Sequence, residues 1–320
     1  MVPGDLGGQG IKRVSDTSFP LDTQALQPGA QAPFVRLPNP DSLFLRRADR
    51  FDRIALSRQP KDFFVFMGIL ARAQEAAVRR LNLLDSPAPS EIERRRAAGL
   101  PPLAAASIKL GVSWQAAFTG ILRELAGAAL PAQTNSAIER ARQLDAAVVE
   151  AWASALLRQV YKPVDPAIAP LISAALQVYW AKMAHLCDAD TIVRLTPPGN
   201  CPVCGSPPVS GIVSAEPVIR GNRYLCCSLC ATQWRMARIT CSNCESTEEI
   251  AYYGIEGGDQ ALKAESCEKC KVYLKLLYME KGPGLDPVAD DAGSIALDLL
   301  LGEAGWHRLT PVSFVFPSQE

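Results

Sequence analysis

Eight of the ten cysteines in this 320-residue chain fall into four C-x-x-C pairs: Cys201/Cys204, Cys227/Cys230, Cys241/Cys244 and Cys267/Cys270. Their spacing constrains the fold more than any other feature. Twenty-two residues separate the first pair from the second, and twenty-two again separate the third from the fourth. Each cysteine of the first set recurs 40 positions later, the mark of a duplicated unit. A C-x-x-C turn folds back so that both sulfurs face one ion, and a tetrahedral ion takes four such ligands. Four pairs therefore supply two complete shells with no ligand left over.

Each 22-residue insert reads as a hairpin. The first is "PVSGIVSAEPVIR", a Gly221-Asn222 turn and "RYLC"; the second is "EEIAYYGIE", Gly257-Gly258-Asp259 and "QALKAESC". A strand-like run follows each second knuckle, "TQWRMARIT" and "KVYLKLLYM". Knuckle, hairpin, knuckle, strand is the order of a zinc-ribbon or rubredoxin-like unit. The spacing also permits a cross-braced arrangement. Sequential pairing is expected, because each hairpin then carries its own two knuckles to one metal. Four-thiolate tetrahedra suit zinc or iron, and a closed shell points to a structural site. A thioredoxin-type dithiol does not account for four pairs at duplicated spacing.

The stretch "LCCSLC" (225–230) holds three cysteines, and the repeat sets its register. Cys227 and Cys230 map 40 residues on to Cys267 and Cys270, whereas Cys226 maps onto Ser266. A strand turns Cys226 to the face opposite Cys227, as a small buried filler.

The remaining chain is read around this centre as an α+β protein. Residues 1–33, rich in Gly, Pro, Gln and Asp, are expected to be a disordered leader without a secretory h-region. Residues 34–195 carry helical spacing and are expected to form a bundle. In "KDFFVFMGILARAQEAAVRRL" (61–81), Phe63, Phe66, Met67, Leu70, Ala73, Ala77 and Leu81 share one face. A second helix is expected to be capped by Ser113 and ended by Pro131, with longer ones at 136–161 and 166–186. A short helix lies within 86–103, where "ERRRAAG" reads as a solvated charged face. The linker "TPPGN" (196–200) leads into ribbons at 201–240 and 241–281. A C-terminal helix spans 286–306, with Ile295, Leu297, Leu299 and Leu300 as core candidates.

No stretch is apolar for long enough to span a bilayer, and clustered thiols in a chain without a secretory signal imply a reducing cytoplasm. Lys+Arg and Asp+Glu both number 33. The ribbons hold nine acidic and nine basic residues, and eight thiolates with two divalent ions make them net negative. Phosphate binding needs the opposite sign, so a nucleic-acid-binding ribbon protein is the weaker alternative, resting on Arg220, Arg223, Arg235 and Arg238. Catalytic groups are sparse. His185 and His307, the only histidines, lie outside the ribbons, and Asp290 and Asp291 suit an acidic first helical turn. No phosphate-binding glycine loop or nucleophile elbow occurs, so the chain reads as a non-enzyme.

"CPVCGSPPVSG", "GNRYLCCSLCATQWRMARITCSNC", "AESCEKCKVYLK" and "VADDAGSIALDLLLGEAGW" together resemble the FdhE family of formate dehydrogenase accessory proteins. The resemblance covers roughly 201–306 and implies a cytoplasmic assembly factor. It implies binding to the catalytic subunit of a respiratory molybdenum or tungsten formate dehydrogenase, which needs the factor to become active. It also implies two tetrathiolate-bound metal ions, iron in preference to zinc, on the eight paired cysteines. A redox-active, rubredoxin-like electron or sulfur donor is the second reading. The chain departs from the family pattern where Cys226 and Arg235 stand in place of histidines, and in its ending "LTPVSFVFP". The oligomeric state is not implied.

Overall fold

The structure, a computed structural model, describes residues 10–14, 32–311 and 314–315. After β1 (Ile11–Arg13) and β2 (Val35–Arg36) come seven helices: α1 (Pro40–Ala55), α2 (Lys61–Arg80), α3 (Pro89–Ala97), α4 (Val112–Leu125), α5 (Ala132–Gln143), α6 (Ala146–Leu157) and α7 (Ala169–His185). Asn39 starts α1 by accepting a hydrogen bond from Asp41 N, with Pro40 at the first helical position, where its missing N–H has no intrahelical partner. Helix α7 is apolar almost all round and lies at the centre, with Tyr179 and Trp180 fully buried and α1, α2, α4 and α6 packed around it.

The expected helices hold with local differences. Along α2, Met67, Leu70, Ala73 and Ala77 are buried with Leu81 just beyond, but Phe64 rather than Phe63 or Phe66 is the phenylalanine fully inside. The helix expected over 136–161 is two. Leu144 turns extended, and Asp145 caps α6 by accepting from Ala147 N at 2.7 Å. Helix α4 begins after Gly111. Ser113 sits inside its first turn, where its hydroxyl accepts from Leu84 N and its own N–H donates to Asp85. The charge run on α3 pairs internally, Glu91 with Arg94 and Arg95 and Glu93 with Arg96.

Strands β3 (Pro208–Val213), β4 (Arg223–Cys227) and β5 (Gln233–Met236) make the first repeat. Strands β6 (Ile250–Ile255), β7 (Leu262–Cys267) and β8 (Val272–Tyr278) make the second. The repeats fuse into one sheet of order β1-β6-β7-β8-β3-β4-β5-β2. The seam is a parallel pairing of β3 with β8, with Gly211 opposite Leu276. A side chain at 211 would come within 2.5 Å of Leu276 Cδ2, so glycine lets that leucine pack directly over the join. A buried ion pair crosses between repeats, Arg223 Nη2 to Glu265 at 2.6 Å, while Arg223 Nη1 holds the linker carbonyls of Ala237 and Thr240.

The leader expectation fails at Ile11–Arg13. This segment pairs antiparallel with β6, because a sheet edge offers unpaired N–H and C=O groups to any extended backbone. Ile11 also packs against a cluster containing Leu297 and Trp306. Residues 1–9 and 15–31 of that expectation lie outside the described residues.

The C-terminal helix is broken at Gly293 into α8 (Ala289–Ala292) and α9 (Ile295–Glu303), followed by β9 (His307–Arg308) beside β8. Leu297 and Leu301 are buried, whereas Leu299 is exposed and Ile295 and Leu300 only half-buried. This segment both returns to the helices and covers the sheet. Arg50 grips Asp290 with two nitrogens, and Lys275 of β8 meets Asp291 at 3.0 Å and Asp298 at 2.7 Å. Arg308 closes the group onto the same two carboxylates. The acidic residues expected to serve a helix dipole are therefore buried ion-pair partners.

Candidate metal centres

All four knuckles share one backbone device. The residue after the second cysteine is left-handed in each: Gly205 (φ 79°), Ala231 (59°), Glu245 (61°) and Lys271 (56°). For the three non-glycine residues this conformation costs about 1–2 kcal/mol apiece. It brings their amides, and those just before, back over the turn. Gly205 N donates to Cys201 O at 2.8 Å, Glu245 N to Cys241 O at 3.0 Å and Lys271 N to Cys267 O at 2.8 Å. Amides also point at sulfur: Cys230 N lies 3.4 Å from Cys227 Sγ, and Cys244 N 3.5 Å from Cys241 Sγ. Such donors stabilise thiolate over thiol.

The sheet gathers the sulfurs into two clusters, Cys201/Cys204/Cys227/Cys230 and Cys241/Cys244/Cys267/Cys270, each with its sulfurs within 4.8 Å of one another. The grouping is sequential, not cross-braced. Closest approaches are 3.6 Å for Cys201–Cys230, 3.3 Å for Cys204–Cys227, 3.6 Å for Cys241–Cys270 and 3.7 Å for Cys244–Cys267. A disulfide requires about 2.05 Å. A tetrahedron with metal–sulfur bonds of about 2.3 Å has edges of about 3.8 Å. The donor set and its spacing thus fit a four-thiolate zinc or iron ion.

The two clusters sit in different surroundings. The first is inside the main hydrophobic core, with no cysteine more than 1% exposed. A loop of the helical half clamps its first knuckle: Leu103 N donates to Val203 O at 2.9 Å, and Ala105 N to Cys204 O at 2.8 Å. Gln177 of α7 reaches the second knuckle through Ser228 O at 2.9 Å. In the other cluster Cys244 and Cys270 are half-buried. Burial raises the thiol pKa values of Cys201, Cys227 and Cys230. At Cys204 burial opposes ionisation too, but hydrogen bonds from Cys201, Cys227 and Cys230 outweigh it and hold this thiol well below its ordinary value. Metal binding at such a site releases protons from the others.

Cys226 is 3% exposed on β4 and packs in the main core, as its register predicts. His185 is the last residue of α7, with Cys187 two residues beyond, and His185 Nδ1 lies 3.0 Å from Pro38 O. His307 is exposed, and its backbone N–H donates to Lys271 O. The arginines considered as a phosphate patch are dispersed in role: Arg223 is buried on Glu265, Arg220 pairs with Glu280, and Arg235 and Arg238 are half-buried. Sequence spacing found all eight clustered cysteines. It missed the 103–105 clamp and Gln177, which are remote in the chain and carry no motif.

These features define a class: a helical domain joined to a sheet that holds two four-cysteine clusters built by duplication. Family models for FdhE match in three consecutive parts: the N-terminal model over residues 32–197, the central domain over 200–238 and the C-terminal domain over 239–315. Protein FdhE of Escherichia coli K12 is 34% identical over 324 residues, covering 100% of this chain and 98% of that protein. The FdhE homolog of Edwardsiella ictaluri is 38% identical over 296 residues, covering 91% and 94%. The crystal structure of the FdhE protein from Pseudomonas aeruginosa matches with a TM-score of 0.81 at 33% identity, over 89% of this chain and 99% of that one. The chain belongs to the FdhE family.

Proposed function

We propose that this protein is a cytoplasmic accessory factor that binds the catalytic subunit of a respiratory molybdenum- or tungsten-containing formate dehydrogenase and is needed for its maturation. The observation that carries this reading is family membership along the whole chain. The centres support a role without catalysis, since four protein thiolates close a tetrahedral shell and leave no position for substrate. Cys201, Cys204, Cys227 and Cys230 hold one ion; Cys241, Cys244, Cys267 and Cys270 hold the other. Iron is the metal proposed, with zinc as the alternative. No helix among the described residues is long and apolar enough to cross a membrane.

The test is co-purification of the tagged protein from a formate-respiring host, together with a deletion. The catalytic subunit is expected in the eluate, and formate oxidation is expected to fall on deletion. If the subunit is absent and activity persists, the reading fails. A redox role has one observation in its favour, the half-buried Cys244 and Cys270, which bring the second centre near solvent. An iron ion there supplies one-electron chemistry. Metal analysis of protein purified without added metal decides it, because stoichiometric zinc without thiolate-to-iron absorption removes it.

A further inference from the structure

A cavity of about 460 Å³ opens between α1 and the first repeat, with none of the eight clustered cysteines in its lining. Its volume is that of a small-molecule site. Five arginines line it, Arg36, Arg46, Arg47, Arg50 and Arg53, against three carboxylates. Four of the five belong to α1.

Their pairing decides what the cavity attracts. Arg36 is held by Glu216 at 2.6 Å, and Arg50 by Asp290 from behind. Arg47 is 3% exposed, donates to Gln177 at 3.0 Å and faces Asp286 at 3.4 Å. Asp49, the remaining lining carboxylate, turns to Arg72 at 3.6 Å. Arg46 and Arg53 are exposed, and their side chains have no hydrogen bond or ion pair among the described residues. The cavity thus keeps two guanidinium groups in excess, above a floor of fixed ones. They lie seven residues apart, about 10 Å along the helix axis, on side chains long enough to converge. One small monovalent ion occupies one guanidinium. Two at this separation suit an extended dianion whose charged ends are each gripped by a fork of N–H donors.

We propose that this cavity binds a small diphosphate-bearing anion, with Arg46 and Arg53 clasping its two phosphates and Arg47 and Arg36 fixing the walls. Ser214 and Gln233 supply neutral hydrogen bonds. Cys226 forms part of the lining, one residue from Cys227, so the anion lies behind the first centre without touching its sulfurs. The site stands on the cavity and its charges and does not depend on the identity of the client.

Calorimetric titration of the metal-loaded full chain with inorganic pyrophosphate tests this, beside orthophosphate, sulfate and a hexaglutamate peptide. The expected result is one pyrophosphate per chain, bound at least tenfold more tightly than orthophosphate or sulfate. The Arg46→Ala/Arg53→Ala variant is expected to lose at least tenfold in affinity. Its melting temperature and metal content are expected to stay at parental values, since both side chains are exposed and unpaired. Arg158→Ala, on the far end of α6, is expected to bind as the parent does. Absence of binding at millimolar pyrophosphate, or equal binding by the double variant, overturns the proposal. So does displacement by hexaglutamate at an equal or lower concentration, which assigns the cavity to acidic peptides.

Discussion

Lys275→Met tests what holds the C-terminal helices on the sheet. Lys275 is fully buried, and its ammonium contacts Asp291 Oδ1 at 3.0 Å, Asp298 Oδ2 at 2.7 Å, Asp291 O at 2.6 Å and Ser294 Oγ at 3.0 Å. Methionine keeps the unbranched apolar stem, one heavy atom shorter, and removes the charge and donors. Two carboxylates, 0% and 8% exposed, then share Arg308 as their one remaining cation, with Tyr273 OH still donating to Asp298 at 2.8 Å. Leaving a buried charge without its partner costs about 3–5 kcal/mol. At about 2 °C per kcal/mol for a chain of this size, the melting temperature should fall by roughly 6–10 °C. The assay is thermal unfolding at matched metal content, with hydrogen exchange to localise the loss to β8 and α9. Lys275→Met/Asp298→Asn restores charge balance around Arg308 and Asp291, and about 1–3 kcal/mol of the loss should return. A single variant melting within 2 °C of the parent, or a double variant no better than the single, would refute the reasoning.

Other outcomes follow from the knuckles. Ala231→Gly relieves a left-handed alanine and should raise stability by about 0.5–1 kcal/mol after the entropy of the freer unfolded chain, measured by urea unfolding. Cys226→Ser should retain two metal ions per chain and Cys227→Ser only one, read by elemental analysis; the reverse pattern sinks the register. A chromogenic chelator should withdraw one ion at least tenfold faster than the other. Alkylation at that stage should then mark Cys244 and Cys270 but none of the four core cysteines, and single-phase release of both ions would contradict the difference in burial.

The clusters were legible because ligand spacing is a local property and duplication repeats it. Pairing Cys227 rather than Cys226 followed from the 40-residue offset alone. Burial of the first centre was not legible, since it depends on Leu103, Ala105 and Gln177 meeting the knuckles from distant parts of the chain. The helix break at Leu144 was hidden by apolar periodicity that continues through it, although Asp145 is a recognisable cap. Asp290 and Asp291 read only as an acidic first helical turn because a carboxylate does not announce its partners; Arg50, Lys275 and Arg308 had to arrive by tertiary folding. Ile11–Arg13 escaped because edge pairing uses backbone groups that every residue has.

That strand has a consequence during synthesis. Strands β1 and β2 occupy opposite ends of the sheet path, yet both precede every other strand in the chain. Strand β1 must wait for β6, more than 230 residues downstream, which at a bacterial-scale elongation of about 5–20 residues per second is roughly 10–50 s. For most of that interval no sheet strand but β2 follows it; open edges form only once β3–β5 (residues 208–236) emerge, and β2 can close the one at β5 at once. The segments that will close them are already made and tethered, able to occupy an edge before another chain does.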